Sequence, residues 1–224
     1  MTHLKICGIR DISHAVTAAD GGADYLGFNF VPGVRRRLEE DHARDMISQF
    51  RSLQRPNTPK LVGLFADQPV DEVNRILNEC DLDVAQLCGS ETPDYWQKVE
   101  RPVIRQLKVS GIGPVNQVIE QVCQAVEQVV SLGHNCMLDR YVEGEKGGTG
   151  HAFDWDIARG VAQRHPFILA GGLTPSSVSE AIQKVHPWGV DVSSGVETDG
   201  VKDLEKITTF CQAVRQASIE IKEQ

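Results

Sequence analysis

The stretch FILAGGLTPSSVSEAIQKVHPWGVDVSSG, residues 167–195, holds one complete structural unit. It opens with a short apolar run, FILAG (167–171), and closes with another, GVDVS (189–193). Between them Thr174-Pro175 suits a helix start, and the spacing predicts a helix over 175–185. Two strands joined by a helical crossover lie parallel, and such crossovers are right-handed.

Working outward, the same unit recurs along the whole chain. Strands are predicted at 4–8, 23–30, 60–66, 83–88, 103–109, 135–139, 167–171 and 189–193. Helices are predicted near 12–21, 40–53, 70–80, 92–98, 114–131, 154–164, 175–185 and 203–220. Ala43, Met46, Ile47 and Phe50 show helical spacing; Pro69 with Asp71, and Thr92 with Pro93, mark helix starts. The strands are nearly continuous apolar runs, as expected when both faces of a sheet are covered. Eight such units in 224 residues imply a (β/α)8 TIM barrel, an α/β fold, with a doubly wound sheet as the alternative. No linker rich in Pro, Gly or Ser interrupts it, so residues 1–224 are read as a single barrel domain.

Bulk properties exclude several roles. The formal net charge is −8, from 31 acidic and 23 basic residues, which argues against a nucleic-acid partner. No apolar run approaches the roughly 18 residues of a membrane helix, and no signal peptide is evident, so the protein is read as cytoplasmic. Six cysteines have spacings that fit neither a zinc site nor a disulfide framework, and most are expected to be small core residues. The dense basic cluster, Arg35-Arg36-Arg37, is flanked by Glu39, Glu40 and Asp41 and reads as a solvated loop in which one arginine could meet an anion.

In a barrel of this kind the chemistry sits at the C-terminal strand ends. Those ends carry Cys7-Gly8, the loop into Arg35–Arg37, Asp139, Gly171-Gly172 and Ser193-Ser194-Gly195. The last two turns suit a phosphate: glycines admit backbone N–H groups, serines add hydroxyls, and a short helix start after the eighth strand would aim its positive end at an anion. Asp139 could cap the next segment or pair with Arg140; it could also act as a general acid, since a partly dry barrel mouth raises a carboxyl pKa. A thiol titrates near about 8.5, within reach of proton transfer. Cys7 and Asp139 across one mouth need no metal and no redox cofactor.

KICGI, GADYLGFNF, LVGLFA, the LD…GGTGHAFDW stretch, ILAGGLTPSSV and DVSSGVE…GVKD together resemble the phosphoribosylanthranilate isomerase family of tryptophan biosynthesis. The resemblance runs from residue 4 to about residue 214, with KICGI, GGTGxxFDW and DVSSGVE as its specific blocks. It implies an Amadori rearrangement of N-(5′-phosphoribosyl)anthranilate without a cofactor, by a monomer or homodimer. It implies Cys7 as general base, Asp139 as general acid, Arg36 against the anthranilate part, and Gly172, Ser194 and Gly195 around the phosphate. Lys5, which shares only strand parity with Cys7, is not expected to partner the thiolate. The substrate's iminium is the better stabiliser, so Cys7 is expected to be mostly thiol in the free protein. Three positions depart from the family pattern: Val34 where a serine is usual, Cys88 for the histidine of QLHG, and Arg140 where a small polar residue follows the aspartate. Two alternatives remain: another phosphosugar isomerase or synthase on the same barrel, or a non-catalytic relative that binds a phosphorylated ligand or a partner protein.

Overall fold

The computed structural model describes residues 1–110, 112–140 and 155–222. Eight parallel strands close into a barrel in chain order: β1 (His3–Cys7), β2 (Tyr25–Asn29), β3 (Lys60–Phe65), β4 (Val84–Leu87), β5 (Val103–Val109), β6 (Asn135–Arg140), β7 (Ile168–Leu169) and β8 (Gly189–Val192). The helices between and after them are α1 (Ile12–Asp20), α2 (Glu40–Ser52), α3 (Val70–Glu79), α4 (Pro93–Trp96), α5 (Val115–Ser131), α6 (Trp155–Ala162), α7 (Val178–Val185) and α8 (Leu204–Lys222). The closure is explicit in the register of β1, where Lys5 lies opposite Tyr25 of β2 on one side and Asp191 of β8 on the other.

Side chains alternate across each strand, so the barrel has two cores. Leu4, Ile6, Leu26 and Phe28 point out and pack under the helices. Cys7, Tyr25, Val62, Leu64, Val84, Ile104, Met137 and Ile168 fill the interior. Apolar residues are therefore wanted at both parities, which is why the strands read as unbroken runs. Local capping supports the frame. The Asp11 carboxylate accepts from the Ser13 N–H at 2.8 Å and closes the first turn of α1.

Several predicted helices are shorter than the sequence suggested. The fourth keeps only Pro93–Trp96 of 92–98. The seventh starts at Val178 rather than 175, because Thr174 and Ser177 bond each other reciprocally: the Thr174 N–H donates to Ser177 Oγ at 3.0 Å, and the Ser177 N–H to Thr174 Oγ1 at 3.2 Å. The expected helix start after β8 is a single 3-10 turn, Ser194–Val196. An element absent from the sequence reading follows it, an antiparallel hairpin of β9 (Glu197–Thr198) and β10 (Val201–Lys202).

The lower, N-terminal end of the barrel is closed by rings. His3 lies on Trp188 with centroids 4.2 Å apart, and Tyr25 stands 6.3 Å from the same indole. The start of the chain is tied to its last helix, where the Thr2 N–H donates to Ser218 Oγ at 3.2 Å. Among the described residues no helix is long and apolar enough to cross a membrane.

Candidate active site

Cys7 ends β1 and is buried, its side chain turned into the barrel mouth. Its partner in register is Gly27, and a Cβ there would stand 3.0 Å from the Cys7 sulfur, so the absence of a side chain leaves room for the thiol. Burial pushes the thiol pKa up, as expected for a protein whose cysteine is mostly protonated without ligand.

The sequence expectation for Lys5 is overturned. Residues i and i+2 share a face, so Lys5 lies in the same inward row as Cys7, and its side chain is long enough to reach the level of the sulfur. Lys5 is 1% exposed, and its ammonium donates to Asp191 Oδ1 at 2.6 Å. Its charge also acts on Cys7, favouring the anionic form of the thiol. Burial works against the ammonium, but the Asp191 carboxylate more than reverses this, so Lys5 stays a cation.

Asp139 stands near the end of β6, three strand positions around the mouth from Cys7 by way of β7 and β8. The Gln106 side-chain amide of β5 donates to its Oδ2 at 2.5 Å and fixes the carboxyl. Its Oδ1 packs against Gly171, where a Cβ would approach to 2.9 Å. Burial, with the negative charge of Asp191 second, pushes its pKa up to about 6. That value suits a group exchanging a proton near neutral pH.

Of the three arginines, Arg36 faces inward; Arg35 and Arg37 are exposed. Arg36 forms a two-pronged pair with Glu197, Nε to Oε1 at 2.7 Å and Nη2 to Oε2 at 3.0 Å. Lys202 holds the same carboxylate at 2.8 Å and also donates to the Ser193 carbonyl. Burial of Glu197 opposes ionisation, but Arg36 and Lys202 hold its pKa down to about 2. A Cβ on Gly8 would meet Arg36 Cδ at 2.7 Å, so the guanidinium arm crosses the backbone next to Cys7.

The turns after β7 and β8 interlock. Gly172 has φ +74, a conformation that side-chain-bearing residues rarely adopt, and a Cβ on Gly195 would run into the Leu173 carbonyl. None of the backbone N–H groups of Gly172, Ser194 and Gly195 donates to an acceptor among the described residues. Gly147-Gly148-Thr149-Gly150 of the loop after β6 lie outside the described residues.

At the three unusual positions, Val34 is 40% exposed, and Cys88 accepts from the Gln86 amide at 3.4 Å with its pKa pushed up to about 12, chiefly by burial. Arg140 has a buried Nη1 with no partner among the described residues. Four participants escaped the sequence reading: Asp191, Gln106, Glu197 and Lys202. Among the described residues no group of His, Cys, Asp or Glu could hold a metal ion.

The pattern of the family described as N-(5′-phosphoribosyl)anthranilate (PRA) isomerase matches residues 4–213. An N-(5′-phosphoribosyl)anthranilate isomerase of Desulforudis audaxviator is 42% identical over 217 residues, covering 97% of this chain and all of that protein. One from Pseudomonas fluorescens is 42% identical over 216 residues and covers 96% of each. The crystal structure of the Thermotoga maritima phosphoribosyl anthranilate isomerase superposes with a TM-score of 0.82 at 29% identity, over 96% of this chain and 100% of that one. A further structure, at 28% identity and a TM-score of 0.78 with the same coverage, is a phosphoribosyl anthranilate isomerase in complex with reduced 1-(o-carboxyphenylamino)-1-deoxyribulose 5-phosphate. With a matching pattern along almost its whole length and relatives above 40% identity, the chain belongs to the N-(5′-phosphoribosyl)anthranilate isomerase family.

Proposed function

We propose that the protein isomerises N-(5′-phosphoribosyl)anthranilate to 1-(o-carboxyphenylamino)-1-deoxyribulose 5-phosphate, with Asp139 as general acid and Cys7 as general base. The observation that carries this reading is the pairing of a carboxyl with pKa about 6 and a buried thiol on one rim, with Lys5 and Asp191 between them. The ligand held by the related isomerase, a reduced form of this product, supports the substrate class.

Protonated Asp139 gives its proton to the ring oxygen as the C1′–O bond breaks, and the nitrogen lone pair forms the C1′=N iminium. Cys7 as thiolate takes the proton from C2′. The C–H electrons become the C1′=C2′ bond, and the iminium π electrons return to nitrogen. The enolamine then loses its O2′ proton and gains one at C1′ to give the ketone. Arg36, oriented by Glu197, meets the anthranilate part. The N–H groups of Gly172, Ser194 and Gly195 take the phosphate, whose charge suits clustered backbone donors. No step draws on a metal or redox cofactor.

The test is the loss of anthranilate-type fluorescence when freshly made substrate meets the purified protein, with Cys7→Ala and Asp139→Asn alongside. The parent should turn over and each variant should fall by about three orders of magnitude or more, the scale of losing a proton-transfer group. Binding without turnover in the parent would instead favour a non-catalytic relative.

A further inference from the structure

A packed barrel interior is an expensive place for an ion pair. Replacing such a pair by apolar residues is often neutral or stabilising, so Lys5 and Asp191 call for a reason other than stability. Both are buried, Lys5 at 1% and Asp191 at 8% exposure. They sit side by side in the β1–β8 register, level with each other and below the rim.

Both ends of this pair act on Cys7, where Lys5 outweighs the opposing charge of Asp191, and only Asp191 acts on Asp139. The ammonium of Lys5 interacts with the sulfur of Cys7, next in the same inward row. Across β7, the carboxylate of Asp191 acts on Asp139. Other charged groups facing Cys7 are already engaged or lack charge: Arg36 and Lys202 both hold Glu197, and Cys88 is a half-buried thiol whose pKa is pushed up. Around Asp139 the remaining groups are Gln106, which is uncharged, Lys108, and the Arg140 backbone.

We propose that the buried Lys5–Asp191 pair is a positioning dipole, its positive end favouring the anionic form of Cys7 and its negative end the neutral form of Asp139. The proposal rests on reading these two residues as base and acid. It answers a difficulty inherent in that reading. Burial favours the neutral form of both groups, which suits the acid but leaves the base protonated, and at neutral pH the acid is held neutral only in part. A fixed dipole between them biases both equilibria toward the productive one and needs no substrate to do so. Lys5 and Asp191 are thus positioning residues acting through Cys7 and Asp139.

The experiment uses two variants of the full chain, without ligand. In Lys5→Met, the pH midpoint of Cys7 carbamidomethylation, followed by peptide mass spectrometry, should rise by about one unit, so that alkylation at a fixed pH below it slows about tenfold. In Asp191→Asn, the pH midpoint of the Asp139 carboxyl carbon, followed by NMR of 13C-aspartate-labelled protein, should fall by about one unit. Turnover should drop at least tenfold in each with KM within about threefold of the parent. A merely structural role would lower the melting temperature and leave both midpoints in place. An unchanged Cys7 midpoint in a folded Lys5→Met protein would overturn the proposal, as would an unchanged Asp139 midpoint in Asp191→Asn. If Lys5→Met does not fold, the near-isosteric Asp191→Asn decides alone. Shifted midpoints in a parent that cannot turn over the substrate would keep the dipole and remove the isomerase mechanism.

Discussion

Burial at the mouth holds the Asp139 carboxyl toward its neutral form, and the ionised form costs stability near neutral pH. A carboxyl that titrates near 6 in the fold and near about 3.9 in the unfolded chain binds its proton more tightly when folded. Its favourable contribution is complete below about pH 4 and is lost as pH rises through about 6. Asp139→Asn, which cannot ionise, should therefore be more stable than the parent above pH 7, by up to about 2 kcal/mol or roughly 5 °C in Tm. At pH 4 the two should melt together, and thermal unfolding at both pH values checks this. The same pKa shapes the rate. With Asp139 required neutral and Cys7 required anionic, kcat/KM should climb with pH up to about 6. It should then level off, and fall only above the raised pKa of the thiol, where Asp139 is ionised and thiolate formation no longer compensates. A profile that falls from pH 5 to 7 would contradict the assignment.

At the scale of elements, the hairpin after β8 organises the basic side of the mouth. Glu197 in β9 and Lys202 in β10 face each other in register, and the Glu197 carboxylate holds both Lys202 and Arg36. Glu197→Gln should free the guanidinium and raise KM about tenfold with a smaller effect on kcat. It should also leave Lys202 buried without its counter-charge, at a stability cost of about 3 kcal/mol, read as a lower denaturant midpoint. Gly195→Ala should act on the other side of the mouth. The added methyl strikes the Leu173 carbonyl and forces the turns after β7 and β8 apart; if these turns hold the phosphate as proposed, a large rise in KM reports it. The hairpin was legible in principle. Asp199-Gly200, with φ +50 and +79, is the dipeptide expected of a tight hairpin turn, but strands of two residues have no periodicity to flag them. The barrel strands, by contrast, were readable because burial on both faces makes them long apolar runs. The strand ends pointed to Cys7, Asp139 and the Arg35–Arg37 loop, whereas Arg36 was singled out within that loop by the family resemblance alone. Lys5 was set aside, and Asp191 missed, for a different reason. Each is a charge inside an apolar run, and strand parity places both in the interior row, where a charge demands a partner.

Over the whole molecule, the barrel separates what holds it together from what it does. The upper rim carries the charged and reactive groups, and the lower end is closed by His3, Tyr25 and Trp188. Trp188→Ala should remove about 3 kcal/mol of stability, through lost packing and ring contacts, while leaving kcat and KM within about twofold. Denaturant unfolding set beside steady-state kinetics would show whether the two ends are independent. The contact between Thr2 and Ser218 and the direct pairing of β1 with β8 have a topological consequence. The sheet has a cyclic order, and no strand is intrinsically first. A peptide joining the residue 1 end to the end of α8, with the chain reopened between α4 and β5, would permute the sequence without breaking any strand pair. It would leave Cys7 and Asp139 on the same ring in a different order along the gene.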